Sequence, residues 1–279
     1  MNQLVSFFGV AAAKSGTTWL HSCLAEHPQI FMPITKELDF FSENFTTGLD
    51  SYKRNFQAAQ ESQLKGEFSP SYGPHPLAAQ RLHGYNSNAK LIWMFREPVD
   101  RAYSHYCMAC RTQQQVLPLR DILDKNSDFV RYGEYSSQVK RFLEFFPMEQ
   151  HLFIDYQSLK SPETAQRLLR TVFNFLGVDS RFKPSLLNRK LNTRKPLSRF
   201  PRAFDFAKSL ALKAATKSKS FEKALQMFRT SSAMAAIHKV NSAPVEFEAI
   251  DSEFRLLLEK HYKPFNDELR ELSNGAINF

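Results

Sequence analysis

The turn at residues 9–16 and the start of the segment after it combine groups that bind a phosphate. The apolar run at 4–8 predicts a buried strand before the turn, and apolar spacing predicts a helix after it. The first amides of such a helix point outward, and its dipole favours an anion. Lys14 adds a positive charge, while Thr17 and Thr18 add hydroxyl donors. The chemistry predicted here is the binding of a phosphate-like group.

The order of residues in this turn differs from the loop of nucleotide triphosphatases. That loop has the sequence G-x-x-x-x-G-K-[ST]. Counted from Gly9, Lys14 stands where the second glycine belongs, and Gly16 follows the lysine instead of preceding it. We therefore expect a phosphate loop of another kind, with a glycine-rich turn that binds nothing as the alternative.

A second basic group follows another predicted strand. Residues 91–95 are apolar and lead to Arg96, and Pro98 suits the first turn of a helix. Open α/β sheets bind ligands in the crevice beyond the carboxyl ends of their strands. Arg96 would offer a phosphate two parallel hydrogen bonds there, whereas a local ion pair at the strand end is the alternative. Ser104 follows eight residues later, on the predicted helix.

Both segments resemble signatures of sulfotransferases that use 3′-phosphoadenosine 5′-phosphosulfate (PAPS). Lys-Ser-Gly-Thr-Thr-Trp-Leu at 14–20 resembles their 5′-phosphosulfate loop, and Arg-Glu-Pro-Val-Asp-Arg-Ala-Tyr-Ser at 96–104 resembles their 3′-phosphate motif. The resemblance, which is to bacterial and heparan-sulfate-type members, extends over most of the chain except residues 200–245. It implies PAPS as donor, adenosine 3′,5′-bisphosphate (PAP) as product and no metal. The implied cofactor-binding residues in these segments are Lys14, Ser15, Gly16, Thr17, Thr18, Trp19, Arg96 and Ser104.

The resemblance also implies how sulfuryl transfer would be catalysed. Charge builds on the leaving phosphate, and Lys14 is the cation placed to stabilise it. The acceptor hydroxyl must lose a proton to a general base. Lys-Glu-Leu-Asp-Phe-Phe at 36–41 resembles the segment that supplies a catalytic glutamate in heparan-sulfate-type members, so Glu37 is the implied base. Asp39 is an implied acceptor contact.

A further segment, Gly-Glu-Phe-Ser-Pro-Ser-Tyr at 66–72, resembles a family pattern that often has a lysine in its third position. Glu67 is the alternative base or an acceptor contact. This chain departs from the pattern at Phe68. The Glu37 match favours a carbohydrate or glycolipid hydroxyl as acceptor. Because the chain departs from the pattern at Phe68, an apolar alcohol is the alternative acceptor.

A basic segment late in the chain supplies the remaining cofactor candidates. Asn-Thr-Arg-Lys-Pro-Leu-Ser-Arg at 192–199 resembles the loop that closes over the 3′-phosphate and adenine in the family. An ordinary solvated basic loop is the alternative. The candidates are Arg194, Lys195, Ser198 and Arg199.

Positive charge is concentrated in the same region. The net charge is +9, and residues 181–229 contain fourteen Lys or Arg against two acids. From 202 to 229, lysines alternate with Phe and Leu, which predicts an amphipathic arm for an anionic membrane surface or an acidic acceptor. A packed helix with a solvated basic face is the alternative. We expect no nucleic-acid partner, because the sequence has no stacking platform or recognised DNA or RNA motif.

The succession of apolar runs predicts an α/β fold. Predicted strands and helices alternate, which indicates a parallel sheet covered on both faces. The strands are expected near 4–10, 64–68, 90–95 and 151–155, and the helices near 17–26, 76–83, 98–111, 132–146 and 162–176. We predict a P-loop-like three-layer fold in a single domain over 1–279, with a core to about 180 and a basic, mainly helical part at about 181–279.

Location is predicted from the ends and the apolar runs of the chain. The first strand begins within about four residues of Met1, and no run approaches the ~18 apolar residues of a membrane span. Three cysteines suit a reducing compartment. We expect a cytoplasmic protein that contacts the inner membrane face, if at all, through 202–229.

Three functions of different classes compete. The favoured one is a PAPS-dependent sulfotransferase acting on a carbohydrate, glycolipid or other alcohol. A nucleotide kinase would need a magnesium-binding acid at the end of the strand where this chain has Arg96. A non-catalytic binder of membranes or anionic polymers would adhere equally well without Lys14.

Overall fold

The computed structural model describes residues 4–113, 115–188, 197–198, 242–243 and 247–279. The strands there are β1 (Phe7–Ala11), β2 (Ile30–Phe31), β3 (Leu64–Phe68), β4 (Lys90–Phe95), β5 (His151–Asp155), β6 (Leu197–Ser198) and β7 (Ser242–Ala243). The helices there are α1 (Thr17–Ala25), α2 (Leu49–Lys53), α3 (Ala78–Tyr85), α4 (Pro98–Gln113), α5 (Leu119–Ile122), α6 (Asp128–Arg131), α7 (Tyr135–Leu143), α8 (Pro162–Leu176) and α9 (Ser252–Leu272). Short 3-10 turns lie at Phe45–Thr47, Arg54–Phe56, Met148–Gln150, Tyr156–Leu159 and Ser185–Asn188.

Five strands form one parallel sheet in the order β2-β3-β1-β4-β5. β1 is the central strand, and all of its residues are buried. Strands of a parallel sheet are apolar throughout because helices cover both of its faces. β6 and β7 form a separate antiparallel pair. The parallel sheet confirms the predicted α/β class.

Each face of the sheet has its own hydrophobic core. On one face, Leu20 of α1 and Leu169 of α8 pack with Ile92 of β4. The next residue of β4, Trp93, points to the opposite face, as alternation along a strand requires. There it packs with Phe142 of α7 in a core that also includes residues of α3 and α9. The three-layer arrangement predicted from the sequence is thus present.

The order of the strands fixes where a ligand can bind. β2 and β3 lie on one side of β1, and the chain then crosses to β4 and β5 on the other side, so the direction of travel reverses at β1. Ligands of open α/β sheets bind at such a reversal, beyond the carboxyl ends of the strands. The turns that follow β1, β3 and β4 meet at this edge.

The longer predicted elements agree with the structure, whereas the shortest ones were not predicted. The strands at 64–68, 90–95 and 151–155 and the helix at 162–176 have the expected bounds. β2, with two residues, and α5 and α6, with four each, are too short to show a period. In the described C-terminal part, α9 confirms the expected helix.

Backbone contacts divide the chain into two compact units. The first holds the five-stranded sheet and the ranges 1–106, 119–192 and 250–279, and the second holds 107–118 and 193–249. Apart from Ser198, every site residue located below belongs to the first unit. None of the helices within the described ranges is both long enough and apolar enough to cross a membrane.

Candidate active site

The turn after β1 has the backbone of an anion-binding loop. Gly16 precedes α1 with φ 89°, a left-handed conformation that glycine adopts without strain. A Cβ atom on Gly16 would also lie 2.5 Å from Cδ1 of Leu159, so a larger residue would require the Leu159 side chain to move. Ser15 is fully buried, and its hydroxyl has no hydrogen-bond partner among the described residues. The N–H groups of Thr17 and Thr18 begin α1 and have no acceptor within the helix.

Arg96 lies directly against this loop. Its guanidinium Nη1 donates a hydrogen bond to the carbonyl of Lys14 at 3.4 Å, across 82 residues of sequence. The same guanidinium lies over the ring of Tyr156, 5.0 Å from the ring centre. The hydroxyl of Tyr135 donates to the carbonyl of Arg96 at 2.9 Å. The two predicted anion-binding segments therefore meet in one place.

Helix α4 begins beside Arg96 and is fixed at its first turn. The carboxylate of Glu97 accepts hydrogen bonds from the amides of Val99 (2.9 Å) and Asp100 (2.7 Å), which caps the helix. Arg255 of α9 pairs with Asp100 at 2.8 Å. Ser104 is half-buried on this helix. The anchored first turn fixes the direction in which α4 leaves β4, and with it the position of Ser104 on the helix.

Glu37 follows β2 in the chain and lies next to the carboxyl end of β3. Its amide donates to the carbonyl of Phe68 at 3.1 Å, and its backbone has φ 63°. The carboxylate forms an ion pair with the neighbouring Lys36 and is half exposed, at 51%. The structure thus places the predicted base near the carboxyl end of β3, with its carboxylate half exposed and paired with a cation.

Asp39 is held by two serines. Its amide donates to Oγ of Ser69 at 3.0 Å, and its carboxylate accepts from Oγ of Ser71 at 2.5 Å. Partial burial raises the pKa of Asp39, and the charge of Glu37 acts in the same direction, while the Ser71 bond opposes both. Asp39 therefore has a fixed orientation beside the predicted base.

Glu67 is enclosed in the fold. The carboxylate is 1% exposed and accepts hydrogen bonds from the hydroxyls of Tyr72 (2.7 Å), Tyr52 (3.1 Å) and Ser69 (3.2 Å). Burial raises its pKa to about 7, although the three hydroxyl groups oppose the shift. Because these contacts occupy its oxygens, Glu67 organises the segment around Asp39 rather than facing the open edge.

Phe68 belongs to the hydrophobic core. Its side chain is 1% exposed, and β1 pairs with β3 at Gly9 and Phe68. A Cβ atom on Gly9 would lie 2.0 Å from the Phe68 ring, so the glycine makes room for the ring. Where the family pattern often has a lysine, this chain thus has a packing residue.

Two histidines near the site were not predicted from the sequence. Burial and then the charge of Lys36 lower the pKa of His21 to about 4, and its Nε2 has no partner among the described residues. Burial lowers the pKa of His105 to about 4 as well, helped by the charges of Arg101 and Lys14. Both imidazoles are therefore neutral at pH 7. The one sequence feature that could have indicated His105 is its position directly after Ser104.

The basic loop cannot be placed as fully as the other candidates. Arg194, Lys195 and Arg199 lie outside the described residues. Ser198 is described only as part of β6, where it pairs with Ser242 of β7. The arm predicted at 202–229 also lies outside the described residues.

A family model named sulfotransferase domain matches residues 6–231, which is most of the chain. The chain belongs to the sulfotransferase family. The match confirms the family resemblance seen in the motifs, and its range includes the turn after β1, Glu37, Arg96 and residues 192–199.

Individual sulfotransferases match shorter parts of the chain. A membrane-associated sulfotransferase of Dictyostelium discoideum is 37% identical over 106 residues, which are 37% of this chain and 22% of that protein. Heparan sulfate glucosamine 3-O-sulfotransferase 3A1 of Mus musculus is 28% identical over 185 residues, which are 63% of this chain and 46% of that protein. The chain thus spans less than half the length of these two relatives.

The fold also has a solved counterpart. The crystal structure of a sulfotransferase from Alicyclobacillus acidocaldarius superposes with a TM-score of 0.69, covering 96% of this chain and 95% of that one at 24% identity. At this identity the similarity supports the fold, including the parallel sheet and its flanking helices.

Proposed function

We propose that this chain transfers a sulfuryl group from PAPS to a hydroxyl group of an acceptor, which is a carbohydrate, a glycolipid or another alcohol. The observation that carries the proposal is the contact between Arg96 and the carbonyl of Lys14. It joins two anion-binding segments at one edge of the sheet. PAPS has separate charged groups at its 5′ and 3′ positions, and two adjacent segments of this kind suit such a ligand.

The loop after β1 fits the phosphosulfate end of the donor. The hydroxyl of Ser15 is buried and has no partner within the described ranges, which costs free energy unless a ligand accepts or donates a hydrogen bond there. The first amides of α1 and the charge of Lys14 favour an anion at the same point. Arg96 and Ser104 are the proposed ligands of the 3′-phosphate, with Thr17, Thr18 and Trp19 completing the binding segment of α1.

The chemical roles follow from these positions. When bound, PAPS supplies the sulfuryl group. Lys14 stabilises the negative charge that develops on the leaving phosphate. Glu37 accepts the proton of the acceptor hydroxyl, because its carboxylate is exposed at the same edge while that of Glu67 is enclosed. The ion pair with the neighbouring Lys36 orients this carboxylate.

The experiment that tests this function measures PAP released from PAPS in the presence of a panel of carbohydrate, glycolipid and alcohol acceptors. Acceptor-dependent release is expected from the wild type. The Lys14→Ala variant should be slower by about 30-fold or more, since an oriented charged donor contributes about 2–4 kcal/mol to such a step. Lys53→Ala, at an exposed lysine on α2, is the matched control and should turn over normally. Normal turnover by Lys14→Ala would contradict the proposal.

A further inference from the structure

The backbone on either side of Leu38 has a conformation that residues with side chains seldom adopt. Glu37 has φ 63° and Asp39 has φ 49°, both in the left-handed region that favours glycine. Backbone of this kind costs free energy and persists where the surrounding structure holds it in place. The amide of Glu37 is held by the carbonyl of Phe68 at 3.1 Å. The proposed base therefore lies in a stretch of chain that depends on its neighbours for support.

Two further amides of this stretch are held by buried hydroxyl groups. The amide of Asp39 donates to Oγ of Ser69 at 3.0 Å, and the amide of Phe40 donates to the hydroxyl of Tyr72 at 3.0 Å. Ser69 and Tyr72 are both fully buried, so bulk water does not compete for these two bonds. The segment that contains the proposed base is thus bound to the turn after β3 at successive points.

One carboxylate, that of Glu67, orients both hydroxyl groups. Tyr72 donates to its Oε1 at 2.7 Å, and Ser69 donates to its Oε2 at 3.2 Å. An ionised carboxylate only accepts hydrogen bonds, so both hydroxyl protons point to Glu67. Each hydroxyl oxygen then presents its lone pairs to a backbone amide. Two short relays of hydrogen bonds therefore run from Glu67, one to the amide of Asp39 and one to that of Phe40.

We infer that Glu67 is a positioning residue for the proposed base and acts through Ser69 and Tyr72. The inference rests on the proposed function, in which Glu37 takes the proton of the acceptor. Glu67 is 1% exposed, so its carboxylate does not contact an acceptor itself. Its effect on transfer comes from the backbone that it holds, because a small displacement of a catalytic group can slow a reaction strongly. A residue that the sequence offered as an alternative base thus has a different role in the same step.

Removal of one relay hydroxyl tests this role. Tyr72→Phe deletes the relay to Phe40 and keeps the aromatic ring in the core. We expect it to lower kcat by about tenfold or more and to leave PAP affinity, measured by calorimetry, unchanged. Transfer is measured as PAP release from PAPS with the fastest acceptor of the panel described above. The assay is run at pH 8, where Glu67, with a pKa of about 7, is mostly ionised.

Tyr85→Phe is the matched control. The hydroxyl of Tyr85 accepts a hydrogen bond from the amide of Val5 at 3.1 Å, and its ring packs against Tyr52 and Phe41 in the same core. This variant also loses a tyrosine hydroxyl that binds a backbone amide, but not one that binds the 37–40 segment. It should therefore transfer at the wild-type rate.

A double-mutant cycle separates positioning from a general structural effect. Glu37→Gln removes the carboxylate through which the network acts. Adding Tyr72→Phe to it should therefore lower the residual rate by less than about twofold. A general loss of structure would instead slow Glu37→Gln as much as it slows the wild type. Ser69→Ala breaks the other relay and repeats the cycle, so the test does not depend on the folding of one variant.

The outcomes separate this inference from the function on which it rests. A wild type without PAP binding or acceptor-dependent PAP release contradicts the proposed function, and a normal rate in Glu37→Gln contradicts the proposed base. When function and base are both confirmed, two results overturn the inference about Glu67. One is that both relay variants transfer as fast as Tyr85→Phe. The other is that they slow Glu37→Gln as strongly as they slow the wild type.

Discussion

Lys14 and Arg96, the two proposed anion ligands, are in contact but differ in conformation and in how they are held. Lys14 has φ 72°, a left-handed conformation that is uncommon for a residue with a side chain. Arg96 is oriented by the ring of Tyr156 and by the Lys14 carbonyl. A planar guanidinium that is already oriented loses less freedom on binding a phosphate than a free side chain does. If Arg96 binds the 3′-phosphate as proposed, recognition of that group should depend more on Arg96 than on Lys14.

Replacement of Glu37 tests the proposed base. Glu37→Gln should lower the rate of transfer by about 100-fold or more, the usual contribution of a general base, and leave PAP affinity unchanged. Transfer is measured as PAP release and affinity by calorimetry. Glu61→Gln, at an exposed glutamate away from the site, should behave as wild type. A variant that retains normal rates at neutral pH would move the role to Glu67 or to one of the neutral histidines.

Glu67 should make the stability of the fold depend on pH. Its pKa of about 7 in the fold exceeds its ordinary 4.5, so the folded state holds a proton that the unfolded state has lost. Its contribution to the free energy of unfolding therefore falls as the pH rises from 4.5 to 7, by at most about 3 kcal/mol. Urea unfolding at pH 5 and pH 8 should show this loss in the wild type and not in Glu67→Gln.

The wild type must be compared with Glu67→Gln because other buried groups change the stability with pH in the opposite direction. His21, His105 and His151 each have a pKa lowered by burial to about 4, so their contribution falls as the pH is lowered. These histidines are present in both proteins, and the difference between the two curves isolates Glu67. Equal curves would contradict the account of Glu67.

The turn between β1 and α1 can be tested through its glycine. Gly16→Ala should destabilise the fold more than Gly177→Ala, at the end of α8. Both glycines have a positive φ, 89° and 80°, so each alanine has a similar conformational cost of about 1 kcal/mol. Gly16 alone has a neighbour at 2.5 Å, the side chain of Leu159, whereas a Cβ on Gly177 meets nothing within 4 Å.

Thermal and urea unfolding of the two glycine variants provides the measurement. Gly16→Ala should cost about 1–3 kcal/mol more than its control, the usual effect of overpacking. Equal losses of stability would show that Leu159 yields readily and that the loop is not fixed by this contact.

The elements of this fold were predictable where their sequence is long and regular. β4 has six residues and α8 has fifteen, with capping by Ser161 and Gly177 at its two ends. In segments of this length the hydrophobic pattern and the capping residues can be recognised in the sequence alone. β2 has two residues and exists because β3 pairs with it, which no local pattern reveals.

The candidate site was predictable from the sequence only in part. Motif order indicated Lys14 and Arg96, and the structure brings them into contact. The enclosure of Glu67 was not predictable, because Tyr52, Tyr72 and Ser69 reach it only through tertiary packing. The same holds for the neutral histidines, whose pKa values are lowered by burial in the fold.

Charge is distributed unevenly over the whole molecule. The chain has a net charge of +9, and residues 181–229 contain fourteen Lys or Arg against two acids. Lys14 and Arg96 add positive charge at the proposed donor site, which would attract an anionic donor. The cytoplasmic location, the single domain over 1–279 and the membrane contact through 202–229 stay predictions.

The most direct test of the central claim is calorimetric titration of PAP, beside ATP with Mg²⁺, into the wild type and Arg96→Ala. We predict that the wild type binds PAP and not ATP–Mg²⁺, and that Arg96→Ala binds PAP about 30- to 1,000-fold more weakly. Arg54→Ala, at an exposed arginine, should bind as the wild type does. Absence of PAP binding with ATP–Mg²⁺ bound instead, or unchanged PAP affinity in Arg96→Ala, would contradict the account.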